Sequence, residues 1–296
     1  MISKNFESGS QRQRLYRPEY LTGLFGTDTE VSLSPAIHNK IYEKINLPAV
    51  YKDFSLEPSQ LSRAFEAIKT LSFRGINLTY PFKIDILPML DQIDDSAEKI
   101  GAVNTVKIED DFAAGYNTDF LAIKKLLAEW FSREKKDLNA LLVGAGGAAR
   151  SVAMALNASF FENVNITIAN RTLSRAENLV EDIIDSERIN SAVIPLKRDD
   201  IMDSLSEIEL VIDATPLGWQ DEMFPGAKGI TADHKIFDLS YSSPPSKLLK
   251  LAENKGAERE NGTRMLVYQA EAAHEIWFEP TEFALDIIPE NRYITM

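Results

Sequence analysis

The sequence predicts a two-domain α/β protein whose second domain is a doubly wound parallel sheet. Three observations predict it. After residue 119, apolar strands and amphipathic helices alternate regularly, the signature of parallel βαβ units. One of those strands runs straight into Gly144-Ala145-Gly146-Gly147-Ala148-Ala149, followed by a helix of small residues. Before residue 119 the pattern is mixed, with apolar runs flanking Glu109-Asp110-Asp111 as in a hairpin. A length of 296 residues suits two domains, at roughly 100–200 residues each.

The elements follow in order. Residues 21–25 read as a strand. Ser34-Pro35 reads as a helix start, with serine as N-cap and proline at the first helical position. Strand 50–56 comes next, then helix 58–71 with Leu61, Phe65 and Ile68 on one stripe. Strand 73–79 precedes the hairpin 102–108 and 112–116. A helix over 120–130 opens the regular half. Strand 138–143 enters the glycine-rich turn, and its helix runs to about residue 157. Strand 165–169, helix 174–185, strand 192–195, a short helix after Asp200, and strands 210–213 and 235–239 complete the alternation. The last helices are 246–255 and 265–278. The expected division is a substrate-binding catalytic domain over 1–119, completed by a returning segment 262–296, and a nucleotide domain over 120–261.

Composition narrows the function. Apolar residues make up 44% and charged residues 26%, an ordinary globular balance that excludes a disordered chain. The formal charge is −13, which argues against non-specific nucleic-acid binding. No run approaches the roughly 18 continuous apolar residues of a membrane helix. With no cysteine, disulfides and zinc–thiolate sites are excluded. Residues 1–20 are polar, lack an apolar core and read as a solvated tail rather than a secretory signal. The expected location is the cytoplasm. A homodimer is compatible with the sequence.

The glycine-rich turn points to a dinucleotide. Gly144 permits the tight turn and Gly146 lets a pyrophosphate approach the backbone. Gly147 and the alanines after it allow close helix–sheet packing, and the helix N-terminus attracts phosphate. The usual acid after the second strand is missing. Asn170-Arg171-Thr172 stands there, with Arg175 one turn on. An acid would repel a 2′-phosphate, whereas arginine and a hydroxyl favour it, so the expected cofactor is NADP rather than NAD.

Several dehydrogenase chemistries fall away. His38, His234 and His274 are far apart and no cysteine exists, so no catalytic metal is expected. There is no Tyr-x-x-x-Lys pair, no P-loop and no G-x-S-x-G. Three polar clusters in the first half remain: Ser32-Leu33-Ser34-Pro35, Asn77-Leu78-Thr79-Tyr80-Pro81-Phe82-Lys83, and Asn104-Thr105 with Asn117-Thr118-Asp119. Hydroxyls, amides, one lysine and one aspartate suit a small polyhydroxylated ligand. A lysine beside an aspartate can manage a proton at a carbonyl.

Together these segments resemble the shikimate dehydrogenase family. The likeness runs, in the family's order, from about residue 21 to 280. It includes Gly101-Ala102-Val103-Asn104-Thr105-Val106, Ala214-Thr215-Pro216-Leu217-Gly218, Asp238-Leu239-Ser240-Tyr241 and Met265-Leu266-Val267-Tyr268-Gln269-Ala270. The resemblance implies NADPH-dependent, reversible reduction of 3-dehydroshikimate to shikimate, on the route to chorismate and the aromatic amino acids. It implies Lys83 and Asp119 as the catalytic pair. It places the substrate carboxylate on Ser32 and Ser34, and the rest of the substrate against Asn77, Thr79, Asn104, Asp119, Tyr241 and Gln269. Its cofactor set is Gly144, Ala145, Gly146, Gly147, Ala148, Asn170, Arg171, Thr172, Arg175, Thr215 and Gly262. Five positions depart from the family pattern: Asp28, Val31, Asp213 for asparagine, Trp219 for methionine near the expected nicotinamide, and His274 for an aromatic. Two rivals stay open, a quinate/shikimate dehydrogenase using NAD and a non-catalytic NADP-binding sensor of the same fold.

Overall fold

A computed structural model describes residues 18–185, 187–241 and 244–278. Most of the segment read as a solvated tail lies outside the described residues, as does everything after 278. Two six-stranded sheets organise the chain.

The first sheet is built from β1 (Tyr20–Gly26), α1 (Ser34–Lys44), β2 (Ala49–Ser55), α2 (Leu61–Thr70) and β3 (Gly75–Leu78). It continues through α3 (Phe82–Asp85), β4 (Gln92–Ile93), α4 (Asp95–Ile100), β5 (Thr105–Glu109) and β6 (Phe112–Tyr116). Strand order is β2-β1-β3-β5-β6-β4. β1 pairs parallel with β2 and β3, while β5 runs antiparallel to both β3 and β6. The mixture is the one the sequence predicts. Leu61, Phe65 and Ile68 of α2 are all buried against this sheet's core, and each buried side chain of that size contributes about 1.5–3 kcal/mol.

The start of α1 differs from expectation. Ser34 is the first helical residue, not the cap, and no side chain caps α1 from Leu33. Instead the Ser32 hydroxyl oxygen accepts from the Ser34 N–H at 3.2 Å. The serine pair therefore divides its labour one step earlier than the Ser-Pro rule implies.

The second half begins with α5 (Thr118–Trp130), β7 (Asp137–Val143), α6 (Gly147–Asn157) and β8 (Asn163–Asn170). It proceeds through α7 (Leu173–Ile183), β9 (Ile189–Pro195), α8 (Arg198–Leu205), β10 (Leu210–Asp213) and β11 (Lys235–Asp238). It ends with α9 (Lys247–Lys255), β12 (Glu258–Asn261) and α10 (Gly262–Trp277). The sheet order is β12-β11-β10-β7-β8-β9, and every pairing is parallel. The order reverses between β7 and β10, which opens a crevice at their C-terminal ends, the ligand position of doubly wound sheets.

Two devices tie the halves. α10 packs along α5 and reaches α1, and its Trp277 indole donates to Val106 O at 2.9 Å. Arg150 of α6 donates to Ile100 O, at the end of α4, at 2.5 Å and pairs with Asp182 of α7 at 2.9 Å. One apolar cluster runs from Ile100 and Ala102 through α5 and α6 to Met265 and Tyr268. The cleft residues are thus carried on rigid elements.

Candidate active site

Lys83 sits on α3, a single turn after β3. Propensity alone does not stabilise one turn; burial does. Phe82 is fully buried, its N–H donates to Thr79 O at 2.9 Å, and Val103 N–H donates to Lys83 O at 2.8 Å. Asp119 lies in the first turn of α5, where the helix dipole favours a carboxylate. Asn117 caps that helix, accepting from Phe120 N–H at 3.1 Å and donating to Ala102 O at 3.0 Å. Lys83 Nζ and Asp119 Oδ2 meet at 2.6 Å. Their side chains are 27% and 12% exposed, so the pair is shielded from bulk water yet open to a ligand.

A wall of amides and hydroxyls adjoins the pair. Asn77 donates to Asn104 O at 3.1 Å and to Thr105 Oγ1 at 2.9 Å, and it accepts from Tyr51 O–H at 2.9 Å. Asn104 Oδ1 accepts from Thr118 N–H at 2.7 Å, while Asn104 Nδ2 donates to Thr118 Oγ1 at 3.1 Å. Thr118 donates to Gln269 Oε1 at 3.5 Å, and Gln269 Nε2 donates to Leu266 O at 2.9 Å. The helix returning from the chain's far end therefore delivers Gln269 to this wall. Thr79 is half-buried on the loop after β3, and its N–H donates to Phe25 O at 2.9 Å. Ser34 is buried and favours the charged form of Tyr51 by hydrogen bonding, although burial dominates and raises that phenol well above its usual range. Ser32 stays half-buried beside it.

Sequence reasoning missed Tyr51, Thr105 and Thr118 as members of this network. Thr105 and Thr118 stood inside quoted segments without a role. Tyr51 carried no local signal, because a tyrosine in an apolar strand reads as core.

The nucleotide side is built around the switch point. Gly144 has φ of 109°, and a Cβ there would meet Ala214 O and Thr215 Cγ2 at 3.2 Å. Over Gly146 and Gly147 a Cβ would meet nothing within 4 Å. An open cradle therefore lies at the N-terminus of α6, where a pyrophosphate fits. Ala145 and Ala148 flank it, half-buried. Asn170 ends β8 and donates to Thr172 O at 2.8 Å. Arg171, Thr172 and Arg175 are exposed beside it. Among the described residues neither arginine makes an ion pair, so both guanidiniums are available to a phosphate. Thr215 spends its hydroxyl on Asp213 Oδ1 at 2.6 Å and on the Leu217 N–H at 3.3 Å. Gly262 donates to Ser240 O at 3.0 Å, and a Cβ there would strike Leu239 O at 2.1 Å. These last two shape the cleft by packing.

Tyr241 joins the two sides. Burial, and then the charge of Asp119, raise its pKa. The exposed Trp219 ring meets it edge to face at 4.5 Å.

A wall of amides and hydroxyls with a lysine–aspartate pair, together with an open glycine turn at the switch point of a parallel sheet, is the arrangement of a nicotinamide-dependent dehydrogenase. Residues 24–106 match the family model for the shikimate dehydrogenase substrate binding domain, and residues 125–218 match that for shikimate/quinate 5-dehydrogenase. The chain belongs to the shikimate dehydrogenase family. Shikimate dehydrogenase (NADP(+)) of Methanocaldococcus jannaschii is 39% identical over 264 residues, covering 86% of this chain and 90% of that one. A shikimate dehydrogenase solved in complex with NADP+ superposes with TM-score 0.80 at 37% identity, covering 90% of this chain and 92% of the other. The Thermus thermophilus enzyme, solved with NADP(H) and shikimate, gives TM-score 0.75 at 30% identity over 87% of this chain and 93% of its own. No helix among the described residues is long and apolar enough to cross a membrane.

Proposed function

We propose that this chain reduces 3-dehydroshikimate to shikimate, reversibly and with NADPH, using Lys83 and Asp119 as its reacting pair. The observation that carries the reading is the 2.6 Å contact between them, set between the amide wall and the glycine cradle. The assigned cofactor is NADP, supported by the missing acid after β8 and by Arg171 and Arg175, which make no ion pair among the described residues. Among the described residues this reading assigns 18–119 and 262–278 to the substrate side and 120–261 to the nucleotide side, while the remainder of the expected 1–119 and 262–296 division lies outside them. Packing of α10 on α5 and α1 supports the return.

When bound, NADPH supplies the hydride taken up by the carbonyl carbon at C3. Lys83 faces the carbonyl oxygen, where its cation stabilises the growing negative charge in a water-poor cleft. Lys83 and Asp119 then deliver the proton between them, because the 2.6 Å contact holds ammonium and carboxylate together at the reacting oxygen. Asp119 orients the ammonium and accepts from the neighbouring ring hydroxyl. Ser32 and Ser34 hold the carboxylate. Asn77, Thr79, Asn104 and Gln269 meet the ring hydroxyls, and Tyr241 closes the side toward the nucleotide.

A cytoplasmic location belongs to this reading, supported by the cysteine-free chain. Sedimentation distinguishes a monomer from the homodimer that the sequence allows. The decisive assay follows NADP+ reduction with shikimate and quinate in parallel, then repeats both with NAD+. Turnover of shikimate with NADP+ upholds the reading. Preference for quinate with NAD+ moves the chain to the quinate branch, and no turnover leaves a nucleotide-binding sensor.

A further inference from the structure

Two buried carboxylates stand side by side at the switch point. Asp213 and Asp238 are register partners at the C-terminal ends of β10 and β11, and they are 1% and 0% exposed. Asp213 Oδ1 accepts from Thr215 N–H at 2.9 Å and Thr215 O–H at 2.6 Å, whereas Oδ2 is buried with no hydrogen-bond partner among the described residues. Asp238 accepts from Ser240 N–H at 2.9 Å and Ser246 O–H at 2.5 Å.

The loops that follow these strands lie face to face. A Cβ on Gly218 would come within 2.3 Å of Ser240 Oγ and 2.9 Å of Asp238 Oδ2, so loop 214–220 seats directly on the segment after β11. One residue further on, Trp219 meets Tyr241, which feels the Asp119 charge. A continuous path therefore runs from Asp213 through Thr215 and Gly218 to the ring pair beside the reacting groups.

We propose that Asp213 is a positioning residue, whose seat beside Asp238 sets loop 214–220 and with it the Trp219–Tyr241 wall near Lys83 and Asp119. This rests on the reading of Lys83 and Asp119 as the reacting pair. Two donors fill Oδ1, so a proton on this carboxyl resides on Oδ2. Of the groups packed on Asp213 from β7, β11 and its own loop, namely Val143, Asp238 and Thr215, only Asp238 is titratable. Burial pushes the Asp213 carboxyl up to about 6 against the two Thr215 hydrogen bonds, with a smaller upward push from Asp238. Below that pH Asp213 is neutral in its buried seat. Above it Asp213 carries a buried charge beside Asp238, and the wall loosens.

Asp213→Asn tests this, because the amide keeps the acceptor and supplies a permanent donor where the acid carries its proton. In ligand-free wild type, Trp219 emission should shift with a midpoint near pH 6, assigned by its loss in Trp219→Phe. Shikimate KM should rise several-fold from pH 5.5 to 8, with kcat changing less. In Asp213→Asn both traces should be flat at the low-pH value. Thermal stability gives a third readout. The folded protein holds this proton more tightly than the unfolded chain, so the contribution of Asp213 to stability falls as pH rises from about 4 through about 6. Asp213→Asn should remove that fall. An Asp213→Asn protein that keeps the wild-type midpoint in emission and KM overturns the proposal. Absence of any shikimate turnover would instead overturn the assignment of the reacting pair, while the emission titration still decides the role of Asp213.

Discussion

Lys83 and Asp119 stand 36 positions apart on different helices, yet Nζ and Oδ2 meet at 2.6 Å. Neither helix reaches the other by chance of sequence. Burial of Phe82 aims one, and the Asn117 cap aims the other.

That convergence makes the pair act as a unit. Lys83→Ala should lower kcat by on the order of 10²–10⁴, the usual range for a positioned acid–base. Lys83→Arg should also fail, since guanidinium keeps its proton and has another shape. Asp119→Asn should cost rate by losing the charge that orients the ammonium. The double variant should be far less impaired than the product of the single losses. NADPH affinity should hardly change. Steady-state kcat for the four variants checks this, and a Lys83→Ala enzyme near wild-type kcat would refute the mechanism.

The two serines separate binding from stability. Ser32→Ala and Ser34→Ala should each raise shikimate KM more than they lower kcat, because the carboxylate is held in ground and transition states alike. Ser32 alone also receives the first N–H of α1. Its removal should cost about 1 kcal/mol of stability, as for a lost cap. Thermal melts beside the kinetics decide it: a Ser34→Ala protein that melts earlier with unchanged KM would return the cap to Ser34.

What was legible in the sequence follows from where the determinants lie. β7, its glycine turn and α6 were legible because their signals are local: an apolar run, a glycine at positive φ and a small-residue stripe. The stripe of α2 and the β5–β6 hairpin were legible for the same reason. α3 was not, because one turn is held by the distant packing of Phe82. β12 was not, because Glu258–Asn261 carries no apolar alternation and exists as an edge partner of β11. α4 was overlooked despite its Asp94 cap, which accepts from Ser96 N–H at 3.0 Å. In the site, segment order pointed to Lys83 and Asp119, whose side chains the fold brings to 2.6 Å. The contact of Tyr51 with Asn77 depends on β1 lying between β2 and β3, a relation that no local pattern encodes.

Cofactor choice should reside in Arg171. It is exposed after β8, has no ion-pair partner among the described residues, and stands where an acid would select NAD. Arg171→Ala should weaken NADPH binding by roughly 1.5–3 kcal/mol, the range for a hydrogen bond to a charged group. NADH binding should barely move. Titrations with both cofactors test this, and equal losses would remove the 2′-phosphate from Arg171.

Acid sensitivity should come from two buried histidines, His38 of α1 and His274 of α10. His38 and His274 are both buried, and His38 stacks on Tyr51 at 4.1 Å. Burial lowers His274 from 6.5 to about 4. Burial, and then the charge of His274, lower His38 to about 3. In the unfolded chain both take a proton near 6.5, so protons bind preferentially to that state as pH falls. The contribution of the two histidines is therefore complete above about 6.5 and declines toward the folded values, by up to about 1.4 kcal/mol per pH unit for each histidine. His274→Phe keeps an aromatic of similar bulk among Tyr42 and Phe278 and removes one titrating group along with its charge on His38. Relative to wild type, the variant should gain stability steadily between pH 6.5 and 5. Denaturant unfolding at pH 7.5, 6.5 and 5.5 measures the difference, which cancels the groups common to both proteins. A difference that stays constant across those pH values would show that His274 is not held neutral by the fold.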